Sequence, residues 1–327
     1  MQLYRAEVPG PVPDRLTPRI RETAKLLWGV YLLLTAAETL LLILAGLDLF
    51  EALCHAFATM ATGGFSTRNA SVGAYGSSLV EWIVIVFMLL AGANFSLHYL
   101  ALRGDMKAHW RDEEFRFFLR ILTGAVLLIL LSLLTAAVYA KPEELIRKAA
   151  FQVVSICTTT GFATADYLLW PPVAHGMLLL LMAVGGCAGS TGGGIKVMRV
   201  LVLLRQAKSE LKKLVHPRAV FTLWFNDRTV SPALATNVLG FFLLFMIVYV
   251  GGVLALTLGG RDLVTAVGAT AATLGNIGPG LGQVGPALNY AFLGGWEKWL
   301  LVAFMLVGRL EIYTVLVLFL PGAWRKS

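Results

Sequence analysis

Six long apolar stretches are separated by polar ones: Leu26–Leu47, Leu79–Leu102, Phe117–Tyr139, Val173–Leu204 (interrupted), Leu234–Leu258 and Trp299–Phe319. A helix needs ~20 apolar residues to cross a bilayer, so each stretch predicts a membrane span. Three shorter, moderately apolar stretches lie between them: Leu49–Met60, Leu145–Cys157 and Leu263–Ala271. At about 1.5 Å per residue these cannot cross a ~30 Å hydrocarbon core. Each is expected to dip into the membrane and return.

A Thr/Gly segment follows each short stretch. The first is Ala61-Thr62-Gly63-Gly64-Phe65-Ser66-Thr67, the second Thr158-Thr159-Thr160-Gly161-Phe162-Ala163-Thr164, and the third, more diverged, Ala272-Thr273-Leu274-Gly275-Asn276-Ile277-Gly278. The repeating unit is therefore long helix, short helix, Thr/Gly turn, long helix. The expected division is a leader over 1–25, then units over 26–116, 117–228 and 229–327. Their turns lie at 61–67, 158–164 and 272–280. One such segment would be read as a close helix-packing site of small residues. Three in register point instead to a pathway, because irregular backbone at membrane depth is tolerated only where protein or water covers it.

Composition agrees with a polytopic membrane protein: 57% of the 327 residues are hydrophobic and 14% charged, against about 25% charged in a typical soluble domain. The net charge of +8 does not indicate nucleic acid, because of where the basic residues fall. They gather in the leader (Arg5 to Lys25), after the second stretch (Arg103 to Arg120), before the fifth (Lys196 to Arg228) and at Arg325 and Lys326. Short loops rich in Lys and Arg mark the cytoplasmic side. Both termini are therefore expected in the cytoplasm, with the three turns toward the outer half of the membrane. Cys54, Cys157 and Cys187 are scattered and the five histidines form no ligand motif, which argues against a metal enzyme or a disulfide framework. No set of residues suggests catalysis. A secondary transporter of another class is disfavoured, because the units repeat in parallel, whereas many such transporters carry inverted repeats.

Thr and Gly suit a dehydrated monovalent cation. Backbone carbonyls replace its water shell, Gly reaches positive φ at little cost, Thr adds a hydroxyl, and the short helix aims its negative end at the ion. The three turns, with Gly275-Asn276-Ile277-Gly278-Pro279-Gly280 for the third, resemble filter loops of the Trk/Ktr/HKT potassium transporter superfamily, particularly the membrane subunit of bacterial Trk systems. Gly189-Ser190-Thr191-Gly192-Gly193-Gly194-Ile195-Lys196 resembles a segment of the same subunit.

That resemblance implies an all-α fold of helix–re-entrant pore helix–helix units around a pseudo-fourfold pore axis. It also implies K⁺ uptake with some Na⁺ passage across a bacterial cytoplasmic (inner) membrane, without cofactor. The implied partners are a second copy of the chain in a homodimer and a cytosolic nucleotide-binding regulatory subunit (TrkA-like). Carried over residue by residue, the K⁺ filter is expected at Thr62, Gly63, Gly64, Thr159, Thr160, Gly161, Thr273, Leu274, Gly275 and Asn276. The family has four filter loops and this sequence three, so an N-terminal helix pair and first repeat are expected to be missing and three units alone to be inactive.

The fourth apolar stretch is interrupted by Gly185-Gly186-Cys187-Ala188-Gly189-Ser190-Thr191-Gly192-Gly193-Gly194. Each interior Gly costs a helix roughly 1 kcal/mol relative to Ala, so the helix should break there, on the cytoplasmic half. The resemblance makes the segment an intramembrane gate of Gly189, Ser190, Thr191, Gly192, Gly193, Gly194, Lys196 and Arg309. A hinge or close-packing patch is the plainer alternative. A phosphate loop is not indicated, because no GxxxxGK[ST] is present. Arg309 is read as lying inside the last apolar stretch, facing a cavity and touching the Gly-rich segment. The alternative is an Arg reaching to the headgroups. Glu38, Asn94 and His98 are read as helix–helix hydrogen-bond partners. Asp166 either concentrates cations at the mouth or has no role.

Overall fold

The computed structural model describes residues 20–219 and 221–319. Among these, α1 (Ile20–Leu44), α6 (Glu113–Thr135) and α10 (Pro232–Leu258) are unbroken helices long and apolar enough to span a bilayer. The short stretches form helices too: α2 (Leu49–Met60), α7 (Pro142–Cys157) and α11 (Leu263–Leu274). A short 3₁₀ turn follows each of their C-terminal turns, at Ser71–Tyr75, Tyr167–Leu169 and Gly282–Val284. The order long helix, short helix, 3₁₀ turn thus recurs three times.

Local signals fix these starts. Asp48, Asp112 and Asp262 cap α2, α6 and α11, accepting from the N–H of Glu51 (2.8 Å), Phe115 (2.7 Å) and Thr265 (3.0 Å). Each carboxylate satisfies an orphan donor and faces the positive end of its helix. Pro142 and Pro232 open α7 and α10, where the missing N–H costs nothing.

The remaining three apolar stretches are all broken, not only the fourth. The second, read from sequence as one span, is α3 (Ser78–Gly92) and α4 (Phe95–Leu102), bent by 103° at Ala93–Asn94. The fourth is α8 (Pro172–Val184) and α9 (Val197–Val215), with residues 185–196 irregular between them. The sixth is α12 (Gly295–Arg309) and α13 (Ile312–Val317), interrupted at Leu310–Glu311, where Glu311 takes φ +65°. Arg309 therefore does not lie inside a continuous helix; it is the last residue of α12. A four-residue helix, α5 (Ala108–Arg111), precedes α6. Between α9 and α10 a hairpin pairs β1 (Trp224–Phe225) with β2 (Arg228–Thr229). Asn226 and Asp227 turn it with φ of +46° and +57°, as an I′-like turn needs.

The main apolar core joins α3, α6, α7 and α8 through Val84, Phe118, Phe151 and Leu178, with Phe162 of the second turn and Tyr167 of the 3₁₀ turn after it also fully buried. A second core joins α10, α11 and α12 through Phe241, Leu256, Ala269 and Phe304. The wide exposed apolar faces of α1, α6 and α10 are what lipid would cover.

A buried ion network ties α3 to α7. Glu81 is 1% exposed; it accepts from Arg147 and from Lys148 Nζ (2.8 Å). Lys148 also donates to the Thr164 carbonyl (2.9 Å), so the network reaches the second turn. Removing one partner of a buried set leaves the others uncompensated, at about 3–5 kcal/mol. Glu81→Ala should therefore lower the thermal unfolding midpoint in detergent far more than Glu143→Ala. The latter removes only the exposed partner of Arg147, a class of pair worth about 0–1 kcal/mol.

Candidate ion pathway and intramembrane loop

The three turns share one template. In the first, Gly63 N and Gly64 N both donate to Ala58 O (2.7 and 3.3 Å). In the second, Thr160 N and Gly161 N donate to Ser155 O (2.9 and 3.3 Å). In the third, Ile277 N and Gly278 N donate to Ala272 O (2.8 and 3.5 Å). Positive φ follows the same pattern: Thr62 and Gly64 (+50° and +64°), Thr159 and Gly161 (+58° and +86°), Asn276 and Gly278 (+57° and +102°).

This template corrects the register of the third unit by three residues. Thr273 and Leu274 belong to the last turn of α11 and Gly275 is its C-cap. The residues matching Thr62-Gly63-Gly64 and Thr159-Thr160-Gly161 are Asn276-Ile277-Gly278. The expected Thr273, Leu274 and Gly275 are therefore displaced from the turn proper, Asn276 stays, and Ile277 and Gly278 join it. Pro279 follows the third glycine. The sequence signal that finds this register is Thr/Asn-x-Gly: the first position must take positive φ, which Asn tolerates, and the third is glycine in all three units.

Two glycines let the turns stand side by side. A Cβ on Gly64 would lie 2.0 Å from Thr160 O, and one on Gly161 would lie 1.8 Å from Ile277 O. Turn one therefore abuts turn two, and turn two abuts turn three, backbone to backbone. A Cβ on Gly278 would meet nothing within 4 Å among the described residues.

Positive φ at a β-branched Thr is strained, and the Gly-rich segment holds both such residues. Thr62 Oγ1 donates to Thr191 O (2.8 Å), and Thr159 Oγ1 accepts from Gly193 N (2.6 Å). Thr191 Oγ1 in turn donates to Met60 O (2.9 Å). At the third unit, a Cβ on Gly193 would come within 2.6 Å of Gly275 O. With its amide oriented to satisfy both neighbours, Asn276 donates to Met305 O (3.1 Å) and accepts from Arg309 N (3.0 Å). The segment thus sits directly against all three turns.

Its own backbone is satisfied by the break in the first unit. Cys187 N donates to Gly92 O (2.9 Å), Thr191 N to Ala91 O (3.4 Å), and Phe95 N to Gly189 O (3.1 Å). Ser190 Oγ donates to Cys187 O (2.6 Å). Gly189 and Gly194 take φ of +72° and +76°, and Lys196 takes +78°. Two cations close over the segment: Arg309 Nη1 donates to Thr191 O (2.9 Å), and Lys196 Nζ donates to Gly192 O. Arg199, which the sequence reading did not single out, pairs with Glu311 (2.5 Å) and lies 3.9 Å from the Phe241 ring centroid. It joins the start of α9 to the break after α12.

Other expectations fare differently. Asn94 caps α4 by accepting from Ser96 N (2.8 Å), and His98 bonds Leu90 O (2.9 Å) and His109 (3.1 Å). Both of these sets of bonds lie at the α3–α4 bend. Glu38 is fully buried beside Thr59 of α2. Asp166 caps the second 3₁₀ turn through Leu168 N (3.0 Å).

A family described as "Cation transport protein", TrkH, matches residues 1–325. The chain belongs to the TrkH cation transport family. The Trk system potassium uptake protein TrkH of Escherichia coli is 46% identical over 328 residues, covering 100% of this chain and 68% of that protein. The TrkG protein of the same organism is 38% identical, covering 99% and 67%. The crystal structure of the potassium transporter TrkH from Vibrio parahaemolyticus matches with a TM-score of 0.89 at 44% identity, over 95% of this chain and 66% of that one. The chain spans about two thirds of the length of these TrkH-family relatives. This is a family of transporters, not enzymes.

The glycine contacts yield a prediction. In the full-length protein, Gly161→Ala should cut rubidium uptake by about tenfold or more, because its Cβ meets backbone that cannot swing aside and its φ is costly for any side chain. Gly278→Ala carries only the φ cost and should be milder. Equal uptake by Gly161→Ala and the parent would remove the close approach of turns two and three from the account.

Proposed function

We propose that this chain lines three sides of a potassium uptake pathway, with the Thr/Asn-x-Gly turns as the filter and the Gly-rich segment as its gate. One observation carries the reading: the strained turn residues Thr62 and Thr159 are hydrogen-bonded to the segment. A hinge needs no such contact with the turns, whereas a plug does. The filter is formed by Thr62, Gly63 and Gly64, Thr159, Thr160 and Gly161, and Asn276, Ile277 and Gly278. It offers few fixed carbonyl rings, so K⁺ is favoured over Na⁺ without excluding it.

The gate is the run Gly189–Gly194 with Lys196 and Arg309. Two positive side chains on carbonyls of the run repel an entering cation and hold the segment in place. The names of the relatives, potassium uptake proteins, support the choice of ion. The repeat units, one per turn, are the functional divisions of the chain. The basic linker around Arg205, Lys208 and Lys212 faces the cytoplasm of the bacterial cell and is the side on which a cytosolic regulatory subunit would act. The working form is a homodimer.

In liposomes containing the full-length protein, Arg309→Ala and deletion of Gly192–Gly194 should each raise basal rubidium flux severalfold. Flux equal to the parent in both would leave the hinge reading instead. For orientation, a cysteine replacing Lys212 in a Cys54→Ser background should react with an impermeant maleimide in inside-out vesicles and not in intact cells. The opposite pattern would reverse the topology.

A further inference from the structure

The Gly-rich segment is held at both ends by one atom that belongs to neither α8 nor α9. Glu114, in the first turn of α6, is 4% exposed. Its Oε1 accepts from Ala188 N (2.7 Å) and from Met198 N (2.9 Å). Ala188 lies just before Gly189, and Met198 lies in the first turn of α9, so the two amides bracket the run Gly189–Gly194.

α9 has no side-chain cap of its own. Its N-cap residue is Lys196, which makes no capping bond. The first N–H groups of a helix are orphan donors with positive charge beside them, and at membrane depth water is not there to satisfy them. A Ser or Asp at the N-cap usually answers that need. Here a carboxyl group from a different helix does so, and the same oxygen reaches back across the segment to Ala188. A single acceptor shared by two amides ten residues apart sets the distance between the ends of the segment, whatever its glycines do.

We infer that Glu114 is the positioning residue that sets the resting place of the Gly-rich segment, acting as a cap on loan from α6. Its effect on flux rests on the gate reading above; the tether rests on the hydrogen bonds alone. Glu114→Leu deletes the acceptor and leaves two buried N–H groups unpaired. Glu114→Gln keeps an acceptor oxygen at the same reach. Glu114→Asp, one methylene shorter, cannot span both amides.

The test pairs two measurements on the full-length protein in liposomes: amide hydrogen exchange in peptides covering residues 186–199, and basal rubidium flux. Glu114→Leu should raise exchange there by about tenfold or more, as leaving buried donors unsatisfied implies. It should also raise basal flux severalfold. The K⁺ over Na⁺ preference should not move, because no turn residue is touched. Glu114→Gln should stay near the parent in both measurements, and Glu114→Asp should follow Leu if the Leu variant does not reach the membrane. Exchange unchanged in both Leu and Asp overturns the tether. So does a Gln variant as perturbed as Leu, because the geometry offers Gln both bonds. Faster exchange with unchanged flux upholds the tether and removes the gate reading.

Discussion

Every backbone N–H and C=O at membrane depth must find a partner inside the protein, and the broken helices of this chain answer that demand with one another. Breaking α3 from α4 frees the carbonyls of Ala91 and Gly92 and the N–H of Phe95. The Gly-rich segment, freed by the break between α8 and α9, supplies Thr191 N, Cys187 N and Gly189 O to exactly those groups. Neither break would be tolerable alone. One contact between units one and two is therefore an exchange of orphaned backbone groups, beside the Glu81 network and the close approach of their turns.

The same economy extends to the strained residues. Thr62 and Thr159 hold positive φ, which costs of order 1–3 kcal/mol each unless the surroundings enforce it. Their hydroxyls bond the Gly-rich segment, so the strain in the turns and the position of the segment are coupled. In the third unit the corresponding residue is Asn276, whose side chain tolerates that conformation. Its amide goes to α12 instead, at Met305 and Arg309. Two units thus bind the segment through side chains, while the third touches it through Gly275 and through Arg309.

Much of this was legible in the sequence. The three unbroken long helices follow from length and apolarity, the short helices between them from their shorter apolar runs, and the fourth-stretch break from six glycines in ten positions. Four things were not. The bends at Asn94 and Glu311 lie in stretches whose average apolarity masks them; they exist because of partners remote in sequence. The third turn was aligned on its helix end rather than on Thr/Asn-x-Gly, since Ala272-Thr273 imitates Ala61-Thr62 while the shared helix carbonyl is invisible in one dimension. The Asn226–Asp227 hairpin carries no glycine and was read only as linker. Glu114 looked like one of many helix-start acids, and only the fold brings Ala188 and Met198 to it.

The abutting glycines have a consequence for size. Where a Cβ would stand 2.0 Å from Thr160 O or 1.8 Å from Ile277 O, neighbouring turns are separated by the thickness of the main chain itself. That spacer has no rotamers, so it works like a machinist's gauge block. It cannot be compressed, and Phe162, next to Gly161 in the chain, is itself fully buried in the close-packed main core. Along this arc the spacing of the turns is set to main-chain tolerance, and variation in the outer side chains has little leverage on it.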